Sequence, residues 1–274
     1  LVIFPAPSKI QFTFFKIKFI STIFDLCHLD HKVFPEISKK EFQFTETWIK
    51  HISINAEAII TNSVILHKQI VKRYNFSSNK IFIIPFNPIR KIYKKSKISY
   101  SNFFLYPANY WKHKNHVNLL LAINILKRKY KDIKLVLIGH KKRDYNKIFK
   151  LTQKLGLEKN IEFLGYISEN NKAELITNAR ALINPSYLGP TNIPQIEAFS
   201  LSCPVVMSNV FAAKEQCGDS VIYFDPNYPE SIAASIEKIW ATDYLYELYS
   251  SKSLSRFKNF KFEKFSNDLI RNIF

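Results

Sequence analysis

Short runs of branched and aromatic residues recur along this chain, separated by longer stretches in which apolar residues fall at helical spacing. That alternation constrains the fold most. A short run that is apolar at every position suits a strand buried on both faces, and parallel strands need a crossover segment between them. The runs fall at residues 18–24, 58–61, 81–84, 103–107, 134–138, 161–164, 181–185, 204–208 and 221–224. Helical patterns at 115–130, 145–155, 170–178, 194–201 and 229–241 lie between them. The chain therefore reads as α/β with doubly wound topology. Of its 274 residues, 47% are hydrophobic and 15% aromatic, which supports a substantial core and excludes a disordered chain.

The stretch PFNPIRKIYKKSKISYSN, residues 85–102, breaks the pattern with two prolines, a basic run and three serines. It divides the chain into an N-terminal unit, 1–95, and a C-terminal unit, 96–274, that ends in helices. The N-terminal unit supplies only three of the expected strands, half a doubly wound domain. With the chain opening at Leu1 in LVIFPAPSKIQFTFF, this unit reads as incomplete and the chain as N-terminally truncated.

A net charge of +18 attracts phosphate-rich partners. The lysines are scattered, however, with the densest group at Lys91, Lys94, Lys95 and Lys97, and no reading helix or stacking motif accompanies them. No nucleic-acid partner is expected; a solvated basic surface and peripheral contact with an anionic membrane are the remaining readings. Cys27, Cys203 and Cys217 are odd in number and lack a C-x-x-C pair, which suits reduced thiols in the cytoplasm. No apolar run reaches the ~18 residues of a membrane span. The expected location is cytoplasmic, free or peripheral at the inner membrane face.

Three polar constellations stand at the ends of expected strands. The first is GPTNIPQIEA, residues 189–198. A helix starting near Pro194 would be capped by Asn192, with Gln195 as the capping-box partner. Its free N–H groups, with Thr191 and Asn192, make an anion site, and Gly189 permits a positive φ or close backbone approach. Glu197 lies one turn inside, where it either holds both hydroxyls of a ribose or is simply solvated. The second is YPANYWKHKNH, residues 106–116, in which Lys114 is a compact charge suited to phosphate. His113 and His116 also suggest a metal pair, but no carboxylate nearby completes one. The third is FDLCHLDH, residues 24–31, where Asp25, Cys27, His28, Asp30 and His31 form a cluster open to acid/base chemistry, to a metal or to a plain polar turn. The chain has no G-x-G-x-x-G, Walker loop, G-x-S-x-G, H-E-x-x-H or Asp-x-Asp, so hydride transfer, P-loop hydrolysis and serine esterase chemistry lose support.

Taken in order, these residues resemble the glycosyltransferases of family 4, with the two-Rossmann GT-B fold. The segment NIEFLGYISENNKAELITNARALINPSYLGPTNIPQIEAFSLSCPVV, residues 160–206, carries most of the likeness, which is closest to the subgroup with HKNH and GPTN-x-P loops. The resemblance implies an acceptor-side domain at 1–95 and a nucleotide-sugar domain at 96–274. It also implies transfer of a hexose from a nucleotide-diphosphate sugar to a glycan or lipid-linked acceptor, with retention and without a metal or cofactor. On that likeness Glu197 is the second acid of a Glu-x7-Glu motif and holds the donor ribose, and Lys114 neutralises the diphosphate. Thr191, Asn192 and Ile193 approach phosphate and sugar, and Gly165 and Tyr166 lie near the base.

Two departures are plain: Gly189 stands in place of the first acid, and Asn109 in place of the arginine that partners the lysine. Phe24 takes the position of the family's histidine, which leaves Asp25 and His28 as catalytic candidates. The rival readings are a truncated remnant that binds nucleotide without catalysis and a basic nucleic-acid-binding module.

Overall fold

The computed structural model of the protein describes residues 1–6, 8–13, 17–30, 32–85, 102–189 and 193–260, with 267 and 271 as single positions. Four parallel strands form the first sheet in the order β1 (Val2–Ile3), β2 (Phe19–Thr22), β3 (Ala58–Thr61), β4 (Ile81–Ile83). Helix α1 (Lys39–Asn55) joins β2 to β3, and α2 (Val64–Tyr74) joins β3 to β4. The second sheet contains β5 (Phe104–Pro107), β6 (Leu135–Ile138), β7 (Ile161–Gly165), β8 (Ala181–Asn184), β9 (Val205–Ser208) and β10 (Ile222–Phe224). Its spatial order is β10-β9-β8-β5-β6-β7, all parallel.

Side chains alternate across each central strand because successive Cβ atoms point to opposite faces. Phe104 and Tyr106 of β5, with Leu135 and Leu137 of β6, pack on one face against α3 (His116–Lys127) and α8 (Pro229–Ala241). Leu105, Val136, Ile138 and Leu182 face the other side, against α5 (Glu169–Asn178) and α6 (Ile193–Ser200). Both faces are covered, so the runs are apolar at every position. Helices α4 (Tyr145–Lys154), α7 (Ala213–Cys217) and α9 (Asp243–Lys258) complete the unit. A separate core of Phe19, Trp48, Ile49, Ile52, Ile59 and Leu66 fills the first.

The differences from the sequence reading have local causes. Strand β1 is an extra strand of two residues, too short to show a pattern. Helix α1 begins at a capping box: the Ser38 hydroxyl accepts from the Glu41 amide at 3.1 Å, and the Glu41 carboxylate accepts from the Ser38 amide at 2.8 Å. The Ser63 hydroxyl caps α2 in the same manner, accepting from the Leu66 amide at 3.1 Å. The expected boundary at 95/96 lies outside the described residues, as does the lysine group at 91–97; the two sheets lie on either side of it. Among the described residues no helix is long and apolar enough to cross a membrane, and all three cysteines are unpaired thiols.

One glycine is fixed by its surroundings. Gly139, just past β6, has φ +148°, and a Cβ there would lie 2.3 Å from the Ala108 carbonyl oxygen. Backbone stands against backbone, so neither side can yield cheaply. Gly139→Ala is expected to cost at least ~2 kcal/mol, read as a lower urea midpoint at unchanged m-value; an unchanged midpoint would show that the two loops are free to separate.

Candidate functional site

In the second sheet the strand order reverses between β5 and β8, and in open α/β folds the crevice at the carboxyl ends of such strands is where ligands bind. A cavity of about 310 Å³ opens there, and its lining includes Asn109, Lys114, Gly139, Tyr166, Lys172 and Glu197. Four of the expected site residues, Asn109, Lys114, Tyr166 and Glu197, thus meet in one place.

Each is held by a recognisable device. Lys114 ends the turn Lys112–Lys114, and the chain leaves it through Asn115 in the left-handed region, φ 55° and ψ 36°. Asparagine tolerates that conformation better than most residues. The buried Asn115 amide donates to the Pro185 carbonyl at 3.0 Å and the Pro226 carbonyl at 2.8 Å. One side chain therefore ties the HKNH loop to the ends of β8 and β10. Burial pushes the Lys114 ammonium below its ordinary pKa, while Cys27 and Asp25 pull it back up. The Asn109 side-chain oxygen accepts from the His140 amide at 2.8 Å, which joins the loops after β5 and β6. Tyr166 is 68% exposed and stacks on His140 with ring centroids 4.5 Å apart.

Glu197 sits in α6 with Lys172 of α5 against it: Lys172 Nζ lies 2.9 Å from Glu197 Oε1 and 3.0 Å from Glu169 Oε2. Burial acts against the Lys172 charge, but the two carboxylates outweigh it and raise the pKa. Among the described residues the hydrogen bond to the Glu197 side chain goes to Oε1 and leaves Oε2 without one. Nothing in the sequence marks Lys172, because its partner Glu197 lies 25 residues further along the chain.

The structure places several other expected residues away from this cavity. Gln195 is not a capping partner: it is fully buried, and its Oε1 accepts from the Asn184 side chain at 3.2 Å. Thr191 and Asn192 lie outside the described residues. Ile193 opens α6 but does not line the cavity, and neither does Gly165, whose carbonyl accepts from the Gly139 amide at 2.8 Å. Gly189, at φ 108°, lines a larger cleft instead. The His113/His116 metal pair does not form, because His116 is buried between Tyr106 and Tyr110, with ring centroids 4.8 and 4.7 Å away. Burial takes its pKa down to about 3, so it stays neutral.

The second cavity, about 820 Å³, lies between the two sheets' loops and α2, with Asp25, Asp30, Arg73, Tyr187 and Gly189 among its walls. Asp25 is exposed to it and accepts from the Cys27 amide at 2.9 Å. The Cys27 thiol, pushed up by burial and by Asp25, is bonded to the Gly189 backbone. His28, the other catalytic candidate, turns away from the cleft. It is 7% exposed, and its Nε2 lies 2.8 Å from Glu46 and 3.3 Å from the Tyr74 hydroxyl. Burial works to raise the Glu46 carboxyl, but bonds from Tyr74 and His28 and the charge of Arg73 hold it below the usual range. His28 therefore packs between α1 and α2, and of the two candidates Asp25 is the one that lines the cleft.

Carboxylates also cross between the units. Glu36 accepts from the His113 amide at 2.8 Å and bonds the His113 ring. From the other side, Glu215 accepts from the Val64 amide at 2.6 Å and the Ile65 amide at 3.3 Å, capping the N-terminus of α2. Burial tends to raise the Glu36 carboxyl, and the His113 bonds more than offset it, so its pKa falls. A carboxylate lowered on folding contributes above its unfolded pKa and loses that contribution as pH falls through the folded value. Glu36→Ala is expected to weaken the inter-unit contact and lower the exchange protection, relative to the intrinsic rate, of the His113 and Lys114 amides, as acidification should for the unaltered protein; protection unchanged in both would show that the contact does not hold the loop.

The family described as Glycosyl transferases group 1 matches residues 88–255. The chain belongs to this family. It is 25% identical over 249 residues to O-antigen chain mannosyltransferase B of Escherichia coli, covering 86% of this chain and 65% of that protein. It is 29% identical over 185 residues to O-antigen chain mannosyltransferase RfbU of Salmonella typhimurium, covering 66% and 50%. The chain thus spans between half and two thirds of these curated relatives. Among solved structures, a Staphylococcus aureus TarM variant in complex with UDP superposes with a TM-score of 0.78 at 14% identity, over 93% of this chain and 50% of that one. Anabaena HepE in complex with UDP-glucose gives 0.77 at 15% identity, over 93% and 72%. At such identities the likeness is one of fold, and the fold is GT-B.

Proposed function

We propose that this glycosyltransferase moves a hexose from a nucleotide-diphosphate sugar to a glycan or lipid-linked acceptor, with retention of anomeric configuration. The observation that carries this reading is the gathering of Lys114, Asn109, Tyr166 and Glu197 around one cavity at the sheet's switch point. The relatives' names favour a mannosyl donor for surface polysaccharide as the first to test.

On this reading the donor ribose bonds to Oε2 of Glu197, and the base lies by Tyr166. The diphosphate faces Lys114 and the start of α6, whose positive end favours an anion. The acceptor hydroxyl enters from the cleft side past Asp25. Its oxygen bonds to the sugar's anomeric carbon as the bond from that carbon to the diphosphate oxygen breaks. The hydroxyl proton passes to the departing oxygen. Lys114 and the helix end stabilise the developing charge, so the chemistry is positioning and electrostatics, with no metal assigned to the diphosphate.

A thermal-shift screen of UDP- and GDP-hexoses, followed by transfer of labelled sugar, tests the assignment, because a ligand that binds only the native state raises its stability. Stabilisation by at least one nucleotide sugar is the expected result; no shift with any of them would overturn it.

A further inference from the structure

The larger cleft holds charged side chains of both signs that form few ion pairs among the described residues. Asp25 and Asp30 stand beyond β2, and Lys72 projects from α2; none of the three forms an ion pair among the described residues. Arg73 is only partly engaged: its Nη2 reaches Glu46 at 3.4 Å and its Nε reaches Tyr74 at 3.3 Å, while 44% of its side chain stays exposed. Gln69, Lys72 and Arg73 fall at i, i+3 and i+4, so they share one face of α2, and that face lines the cavity.

These charges sort into two ends. The Asp25 end is the donor end, because Asp25 shares the cleft wall with Tyr187 and Gly189, and the Tyr187 amide donates to the carbonyl of His113, next to Lys114, at 2.8 Å. A carboxylate only accepts hydrogen bonds, so Asp25 and Asp30 suit sugar hydroxyls and repel an anion. The α2 end offers two cations and an amide. A neutral occupant would leave Lys72 unanswered, and an anion anywhere but on α2 would meet carboxylates.

Resting on the glycosyl-transfer reading above, we propose that the acceptor carries an anionic group, a phosphate ester or a sugar carboxylate. This group is seated on Lys72 and Arg73 while the acceptor's hydroxyls face Asp25 and Asp30. Lys72 is thereby a specificity-determining residue. The acceptor lies with its charged end along α2 and its reacting hydroxyl toward Lys114.

The test is a protein-observed NMR titration of the full chain with three probes: glucose, glucose 1-phosphate and glucuronate. It is run in the presence and in the absence of UDP, so that anion binding beside Lys114 is recognised by its loss when UDP is present. At least one anionic probe is expected to bind about five- to tenfold more tightly than glucose with UDP present, the range of one or two partly exposed ion pairs. The preference should shrink with added salt. Whether phosphate or carboxylate leads identifies the source of the charge. Lys72→Gln is expected to reduce the preference and Lys72→Glu to abolish it, with the glucose and UDP titrations unchanged. Equal binding of all three probes, or a preference that survives Lys72→Glu, would overturn the proposal. Failure of both UDP and GDP, the latter used in the same way, to bind would instead count against the donor site, and the probes' response to Lys72 would still decide the acceptor's charge.

Discussion

Lys114→Ala is expected to lower kcat for sugar transfer by about 10²–10³-fold while the protein stays folded, the loss seen when one preorganised donor to a developing charge is removed. Lys114 is set apart from the other cations by its fixing. Lys112 spends its ammonium on the Val33 carbonyl at 2.8 Å, and Lys172 spends its own on two glutamates. Lys114 lines the donor cavity, pressed by burial below its ordinary pKa and answered only partly by Asp25 and Cys27. A group held in this way suffers little reorganisation when the diphosphate departs. Its titration also has a definite sign. The lowered pKa places loss of the proton below the ordinary lysine range, so kcat/KM should fall on an alkaline limb earlier than free lysine would give. Lys114→Arg should move that limb upward, whatever it does to the maximum. Transfer that is unaffected by Lys114→Ala would remove the lysine from the reaction.

The fold was legible because its central strands are buried on both faces, so Leu105, Val136 and Leu182 announce themselves as surely as their neighbours facing the other way. Helix α9 was expected only as one of the helices that end the chain, without bounds, because other bonds replace a hydrophobic stripe there: Ser250 donates to the Ser202 carbonyl at 2.6 Å and Ser253 to the Cys203 carbonyl at 3.0 Å. The candidate site shows the same division. Lys114 and Glu197 stood out because each lies at a strand end or in a helix's first turns, which is local information, but their expected roles came from the family resemblance. Glu36 could not, because its partner His113 lies 77 residues away in the chain. His28 misled for the same reason: a histidine at a strand end invites chemistry until Glu46 and Tyr74, 18 and 46 residues distant, are seen to take it up.

Glu197→Ala should act on donor binding rather than on the chemical step, weakening affinity for the matching nucleoside diphosphate about 10- to 100-fold. Loss of hydrogen bonds to a charged group, at roughly 1.5–3 kcal/mol, supports that range. Glu197 is half-buried, with one oxygen fastened to Lys172 and the other without a bond among the described residues. The carboxylate is thus oriented before any ligand arrives, and a ribose hydroxyl meets an acceptor that need not be ordered on binding. Removing Glu197 leaves Lys172 with Glu169 alone, so the pocket keeps a compensated cation and should not collapse. Lys172→Met separates orientation from contact. It leaves the Glu197 carboxylate in the pocket but frees its rotation, so the loss of affinity should be smaller than for Glu197→Ala. In the double variant the Lys172 substitution should add little, because its contribution acts through Glu197. Additive losses would mean that Lys172 touches the donor directly. A fall in kcat at unchanged donor KM in Glu197→Ala would mean that the carboxylate acts on the transition state instead of the bound nucleotide.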